Sequence, residues 1–268
     1  MTAFPLSLLI LFLAALLVSS MGFKNYVWFI SLGYGLAIAA EAVVMLIFYG
    51  KSLTVATVIL ASLLIAYGFR LSGYLAIREL KSSSYKKHMK SEIKDGKTVP
   101  FGVKCAIWTT CALLYVTQAL PVLYRLANGE EDNVMAYVGI GIMAVGLILE
   151  TAADLQKNAA KKKNPKRFVD TGLYRIVRCP NYLGEMIFWT GVFLSGIGAV
   201  SGVGQWILAS VGYLGIIFVM FSGARRLELR QNRNYGDDPE YQAYVKSVPI
   251  LLPFIPLYSV VKYKFLVA

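Results

Sequence analysis

Residues 150–189 read ETAADLQKNAAKKKNPKRFVDTGLYRIVRCPNYLGEMIFW, and this stretch decides the fold. An apolar run ends here in two acids, Glu150 and Asp154. A basic loop follows, from Lys161-Lys162-Lys163 to Lys166-Arg167, and then the turn Asp170-Thr171-Gly172. Pro180 opens a second apolar run, in the first helical position, where its missing N–H costs nothing. Acids and bases at the mouths of two hydrophobic helices are costly in lipid, so they mark a site.

The rest of the chain agrees with that reading. Its 268 residues are 57% hydrophobic, with a mean hydropathy of +0.59. Seven apolar segments stand out, at about 4–20, 27–48, 53–75, 102–125, 134–155, 182–200 and 204–222. Most reach the ~20 residues that a helix needs to cross the hydrocarbon. The expected fold is all-α: an integral membrane bundle of seven transmembrane helices in one membrane domain over 1–268. Residues 1–50 form its opening helices, and 53–268 carry the cofactor-binding region. The first segment lacks a basic leader and reads as a retained helix.

The net charge of +12 lies between the hydrophobic runs, which argues for membrane topology and anionic partners and against nucleic acid. Lys24, the stretches 76–104 and 157–178, and the chain beyond 224 hold 24 of the 27 Lys and Arg residues. These basic loops are expected in the cytoplasm, with the N-terminus outside and the C-terminus inside. Cys105, Cys111 and Cys179 show neither metal spacing nor a secreted disulfide pattern. His88 is the one histidine, which excludes a histidine-based metal centre or a Ser-His-Asp relay; no metal site is expected.

Several polar residues lie inside the apolar segments. Glu41 follows Ala40 in the second, where burial disfavours charge and leaves a neutral acid able to donate a hydrogen bond. Tyr67, Arg70, Tyr74 and Arg78 follow at spacings of three, four and four, along one helical face. The stretch from Arg78 to Lys104 reads as a solvated, lipid-facing basic loop. Gln118 and Pro121 interrupt the fourth segment, either lining a cavity or kinking it. Glu150 and Asp154 share a face suited to hydroxyls or an amide. The N–H groups at the start of the sixth segment suit a phosphate or carboxamide oxygen. Asn181, Glu185 and Trp189, at spacing four, lie beneath them. The tail after Tyr235-Gly236-Asp237-Asp238-Pro239 is too short and too broken to span, and is expected to pack back as a cap.

The order of acid-ended helix, basic loop, GLYRIVRCPNYLGE and a Tyr-x-x-Tyr plus proline-rich tail resembles the steroid 5-alpha-reductase family. More closely, it is similar to bacterial inner-membrane proteins of the DUF1295 group. The likeness runs from the third segment to the end. It implies seven transmembrane helices, NADPH and reduction of a 3-oxo-Δ4 steroid or related apolar lipid that enters from the bilayer. The family's catalytic tyrosine stands three before an arginine, as Tyr67 does before Arg70, and its catalytic glutamate corresponds to Glu41. The resemblance implies cofactor contacts at Arg70, Tyr74, Glu150, Asp154, Lys161, Asn181, Glu185, Trp189, Arg226 (or its neighbour Arg225) and Arg230.

The chain departs from the pattern in three ways. Cys179 stands where many relatives have histidine, and Ala40 replaces a polar neighbour of the glutamate. Glu41 and Tyr67 also sit at depths differing by roughly 10 Å at 1.5 Å per residue, which tilt or a shifted boundary must close. The alternative reading is an S-adenosylmethionine-dependent methyltransferase of the isoprenylcysteine or phospholipid type, which shares the Arg-x-Pro-x-Tyr-x-Gly core. Those enzymes keep the histidine and a Glu-Glu pair in the tail, where this chain has Glu228 amid arginines.

Overall fold

In lipid every backbone polar group needs an internal partner, so the apolar segments must be helical. The computed structural model describes residues 2–81 and 99–267. Among them are eight α-helices and no strand. These are α1 (Leu6–Ser19), α2 (Leu32–Phe48), α3 (Val55–Lys81), α4 (Phe101–Asn128), α5 (Val134–Lys163), α6 (Pro180–Ser195), α7 (Gly202–Tyr235) and α8 (Pro239–Ser247). Most of the basic loop expected between Arg78 and Lys104, with His88, lies outside the described residues.

Among the described residues, five stretches are long and apolar enough to span a bilayer: Leu6–Phe23, Val55–Glu79, Phe101–Asn128, Val134–Lys163 and Gly202–Tyr235. The second and sixth apolar segments form shorter helices. α2 has 17 residues, because Asn25 caps a separate 3₁₀ turn over Tyr26–Ile30 and Ser31 breaks the backbone before Leu32. α6 has 16 residues and ends at Ser195. At 1.5 Å per residue each is about 25 Å long.

α5 and α7 run well past their apolar stretches into basic sequence. Hydropathy marks where the hydrocarbon would end, whereas the helix continues for as long as its hydrogen-bond ladder does. α4 is continuous through Gln118 and Pro121, with the proline inside the helix. A proline inside a helix removes one ladder bond.

The chain forms two compact units, Met1–Ile140 with Val192–Tyr213, and Gly141–Gly191 with Leu214–Ala268. In the first, α2 and α3 meet along a seam of small residues. A Cβ added to Gly68 would lie 2.9 Å from the Ala39 Cβ, and one added to Gly35 would lie 2.6 Å from the Gly68 carbonyl oxygen. The Ser72 hydroxyl donates across the seam to the Leu32 carbonyl at 2.9 Å. Such small-residue contacts let helix backbones approach where lipid offers no hydrophobic drive. At another end of this unit, the fully buried Arg125 donates to the carbonyls of Ser195 and Glu131, both at 2.9 Å, and to Asn133 Oδ1 at 3.1 Å. Leu6, Leu9, Leu13 and Leu17 form an exposed stripe on α1, as expected of a face against acyl chains.

In the second unit, α5 and α6 cross with backbones nearly touching. A Cβ on Gly184 would lie 2.6 Å from the Glu150 amide nitrogen, and one on Gly146 would lie 2.6 Å from the Gly184 carbonyl oxygen. The tail folds back onto the start of α6, where the Arg178 and Cys179 amides donate to the Pro249 and Ile250 carbonyls at 2.9 and 3.0 Å. Phe168 is the hub of an aromatic cluster, stacked on Tyr244 at 5.4 Å and edge-on to Tyr241 at 5.3 Å.

Candidate active site

The first unit encloses a set of neutral hydrogen-bonding side chains. Tyr67 on α3 is fully buried. Its hydroxyl donates to the Tyr34 hydroxyl on α2 at 3.0 Å. Tyr34 donates in turn to Gln118 Oε1 on α4 at 3.1 Å. Tyr34 also stacks on Tyr115, ring centroids 5.1 Å apart. The Tyr115 hydroxyl donates to the Phe29 carbonyl.

Glu41 lies two turns beyond Tyr34 on the same face of α2, since seven residues return to nearly the same angle. It has no exposed surface, and neither carboxyl oxygen has a hydrogen-bond partner among the described residues. Electrostatically it is in reach of Tyr115. Two helical turns are about 11 Å, and Gly68, next to Tyr67, packs against both Gly35 and Ala39, so Tyr67 enters between the levels of Tyr34 and Glu41. The Gly35–Gly68 seam sets that register. On α3, Arg70 and Tyr74 are half-buried, and the Arg78 guanidinium lies 5.4 Å from the Tyr74 ring.

The second unit holds the charged set. Glu150 and Asp154 are buried one turn apart on α5. On α6, Glu185 and Trp189 are buried and Asn181 is half-buried, all on one face. Gly184 lies between Asn181 and Glu185 in sequence and seats α6 on the backbone of Glu150. The Asn181 Oδ1 atom is buried without a hydrogen-bond partner among the described residues. Tyr182, next to Asn181, lies against Gly223 and within electrostatic reach of Arg226 and Arg230. Both arginines are exposed. Arg225 donates its Nε to the Val261 carbonyl at 3.2 Å, which leaves Arg226 as the more available of the pair.

Lys161 holds its own loop closed. Its ammonium donates to the Tyr235 hydroxyl at 2.8 Å, to the Pro165 carbonyl at 3.3 Å and to the Arg167 carbonyl. Gln156 Oε1 accepts from the Leu173 amide at 2.9 Å and braces the turn at Gly172, whose φ of +61° suits glycine. The N–H groups of residues 178 and 179, just before α6, are taken by tail carbonyls.

Burial pushes the Cys179 thiol up to about 12, with Arg178 and Lys157 pulling weakly the other way. Cys179 is thus a protonated thiol with neither base nor nucleophile character.

Sequence reasoning missed Tyr34 and the buried Arg178–Glu228 ion pair, whose closest atoms are 2.9 Å apart. A signal for Tyr34 was present in its seven-residue spacing from Glu41. Arg178 and Glu228 are 50 residues apart, and no local pattern links them.

Comparison with known proteins adds three findings. A family model described as "Protein of unknown function (DUF1295)" matches residues 15–248. An uncharacterized protein of Schizosaccharomyces pombe is 30% identical over 84 residues, covering 30% of this chain and 31% of its own. A very-long-chain enoyl-CoA reductase of Dictyostelium discoideum is 27% identical over 153 residues, covering 56% of this chain and 45% of its own. The chain thus spans less than half the length of either of these curated relatives. No solved structure matches it.

Proposed function

This chain belongs to the DUF1295 family, and on that premise we propose that it is a membrane reductase of carbon–carbon double bonds conjugated to a carbonyl. One observation carries the reading: a hydroxyl relay ending at Tyr67 and a partnerless carboxyl at Glu41, both wholly buried in one unit. Two neutral donors in a dry interior are suited to hold a carbonyl oxygen as it gains negative charge. The likeness to a reductase of enoyl thioesters, which also present a double bond beside a carbonyl, supports the same chemistry.

NADPH is the proposed cofactor, and the second unit fits it. The orphaned Asn181 Oδ1 suits the amide hydrogens of a carboxamide. The buried Glu150, Asp154, Glu185 and Trp189 supply a polar and aromatic wall. The exposed Arg226 and Arg230, together with Lys161, are the proposed contacts for phosphates, including the extra 2′-phosphate of NADPH. Arg70 and Tyr74 are further proposed cofactor contacts. Bound NADPH would supply the hydride to the β-carbon. Tyr67 and neutral Glu41 polarise the carbonyl and hold the enolate, and the α-carbon then takes a proton. The proposed substrate is a flat, apolar enone, a 3-oxo-Δ4 steroid or related lipid, that reaches the site from the bilayer.

With α2 and α6 counted as tilted or thinned crossings beside the five longer ones, the proposed topology has seven spans, the N-terminus outside and the C-terminus cytoplasmic. The positive-inside bias of the basic loops supports it. The proposed location is the bacterial inner membrane.

Detergent-purified protein titrated with NADPH, NADH and S-adenosylmethionine tests the reading, because a ligand of the folded state raises the melting temperature with concentration. Stabilisation by NADPH, followed by enone-dependent loss of its absorbance, is the expected result. Stabilisation by S-adenosylmethionine alone would replace the reductase with a methyltransferase.

A further inference from the structure

Residues 250–257 read ILLPFIPL, an unbroken apolar run inside a tail that is too short and too broken to span. The Ile250 amide donates to the Leu257 carbonyl at 2.9 Å and closes the run into a loop. The base of this loop is fixed: the Ile250 carbonyl accepts from the Cys179 amide at the entry to α6, and Leu251 is fully buried. The tip is bare. Phe254 is 99% exposed, Ile255 is 50% exposed, and Pro256 is exposed beside them. Phe254 is also the one non-glycine residue with a positive φ, +65°, among the described residues. A left-handed backbone is unfavourable for a residue with a Cβ, and at that exposure the ring gains no packing in return.

The level of the loop along the second unit follows from its neighbours. Just beyond it, the Val260 amide donates to Glu228 Oε2 at 2.9 Å, and the Val261 carbonyl accepts from Arg225 Nε at 3.2 Å. Arg225 and Glu228 stand within two turns of the end of the apolar run 204–222 in α7, a helix long and apolar enough to span. At the base of the loop, Cys179 stands just before the apolar run 182–200. The loop therefore leaves the protein where hydrocarbon gives way to headgroups. In water its apolar tip is unfavourable. Deep in the hydrocarbon its irregular backbone would be equally so. Between the two, water and headgroups satisfy the backbone while the upper acyl chains take the ring.

Charge points to the same surface. From residue 241 to residue 267 the tail carries Lys246, Lys262 and Lys264 and no acid, and all three lysines are exposed. We propose that the 250–257 loop is a lipid-binding wedge, with Phe254, Ile255 and Pro256 seated in the headgroup region of the bilayer and Lys262 and Lys264 drawing it to anionic headgroups. The bilayer then holds the tail from outside, as the Arg178–Glu228 pair holds it from within. This wedge is independent of the reaction that the protein catalyses. Its expected depth is about 5–10 Å into the boundary between headgroups and acyl chains.

The full chain in liposomes tests the wedge, with tryptophan placed at the tip as Phe254→Trp or, separately, Ile255→Trp. Both side chains project from the fold, so the substitutions leave the core as it is. Trp28, Trp108, Trp189 and Trp206 emit in the wild type, so the signal is the difference between variant and wild type. It is read against acrylamide in the water and against lipids carrying a doxyl group either near the headgroup or near the acyl end. The expected result is strong quenching by the shallow doxyl group, weaker quenching by the deep one and little by acrylamide. Quenching by acrylamide alone overturns the wedge, because the tip then lies in water. Quenching by none of the three also overturns it, because a second copy or another protein then covers the tip. Phe254→Asp combined with Ile255→Trp should lower bilayer partitioning of the loop about tenfold or more, the scale of one buried phenylalanine. A partition unaltered by that change overturns the wedge. Adding phosphatidylglycerol to phosphatidylcholine should deepen shallow quenching of Phe254→Trp, and the Lys262→Gln, Lys264→Gln double variant should lose that gain, since each lysine near an anionic surface strengthens binding about fivefold. A signal indifferent to phosphatidylglycerol overturns the part assigned to the lysines.

Discussion

Replacing Glu228 with Gln should destabilise the second unit more than any other isosteric change within it. Arg178 and Glu228 are 1% and 3% exposed, with Nη2 and Oε1 2.9 Å apart. The remaining carboxyl oxygen accepts from the Val260 amide at 2.9 Å. Arg178 also donates to the Tyr258 carbonyl, so the pair ties α7, the entry to α6 and the tail together. An amide in place of the carboxylate has one acceptor end and one donor end. It must turn a donor towards either the guanidinium or the Val260 N–H, and it leaves the arginine charge uncompensated. Breaking a buried pair from one side costs about 3–5 kcal/mol. Glutamine retains one of the two bonds, which places the loss near the lower end, about 3 kcal/mol. At about 2–4 °C per kcal/mol for a chain near this size, the melting temperature should fall by roughly 6–12 °C. Thermal denaturation of Arg178→Met, Glu228→Leu and the double variant in detergent forms the cycle. The double variant should lose less than the sum of the singles, because it leaves no buried charge behind. Trypsin should reach Lys262 and Lys264 sooner in Glu228→Gln than in wild type. A shift below about 2 °C with additive singles would refute the argument that this pair anchors the tail.

Other outcomes follow from single contacts. Tyr67→Phe should reduce enone turnover by about 10²–10³ while leaving the thermal shift with NADPH intact, since one donor to the developing charge is lost. Gly184→Ala should push α6 from α5, because the new Cβ meets the Glu150 backbone nitrogen at 2.6 Å. A cost of about 1–3 kcal/mol is expected from overpacking, visible as a lower melting temperature and a weaker NADPH shift. Burial alone would raise the Asp132 carboxyl, but hydrogen bonds from Thr54, the Ala56 amide and Tyr137, with the charge of Arg125, hold it below the usual aspartate range. The folded value is thus lower than the unfolded one, near 3.9. Its stabilisation is complete well above that pH and is lost as pH falls through the folded value. Melting temperatures of wild type and Asp132→Asn should converge on acidification from pH 5 to 3 and separate above it.

The sequence revealed helices more readily than their ends. Each apolar segment is helical because hydrocarbon permits little else. α5 and α7 continue past their apolar segments, because Lys161-Lys162-Lys163 and Arg225-Arg226 stop an apolar run without stopping a helix. α2 begins late because Ser31 breaks the backbone inside a hydrophobic stretch, which hydropathy does not register. At the site, periodicity along one helix did find a shared face at Asn181, Glu185 and Trp189. It could not find Tyr34 as a partner of Tyr67, because that contact depends on the register of α2 against α3. Gly35 and Gly68 set the register by the closeness of their backbones, and a glycine in a sequence does not announce which other glycine it meets. Arg178–Glu228 was hidden in the same way, within a charge pattern that the positive-inside rule already explained.

The two units differ in the kind of polar groups they gather, and the difference bears on what each can do. In the second, Arg178, Glu228, Arg167 and Lys161 are engaged with opposite charges or backbone carbonyls. They are therefore poor candidates for moving a proton, and good ones for holding a loop and a tail still around a bound ligand. In the first, the groups around Tyr67 are hydroxyls, an amide and a carboxyl, and two of them have unfilled hydrogen-bonding capacity. A buried polar atom without a partner costs about 1–3 kcal/mol. Glu41 with two oxygens and Gln118 with an Nε2 that find no partner among the described residues are a standing cost. Leu or Met in place of Glu41 would remove its share of that cost. A ligand that brings a carbonyl oxygen to Glu41 and Tyr67 converts the cost into binding free energy, most of it realised as the oxygen becomes negative. That is the differential on which a rate enhancement depends. Glu41→Gln and Glu41→Leu should accordingly raise the melting temperature of the free protein or leave it unaltered, while reducing turnover. A marked fall in melting temperature for both would instead assign Glu41 to the packing of α2.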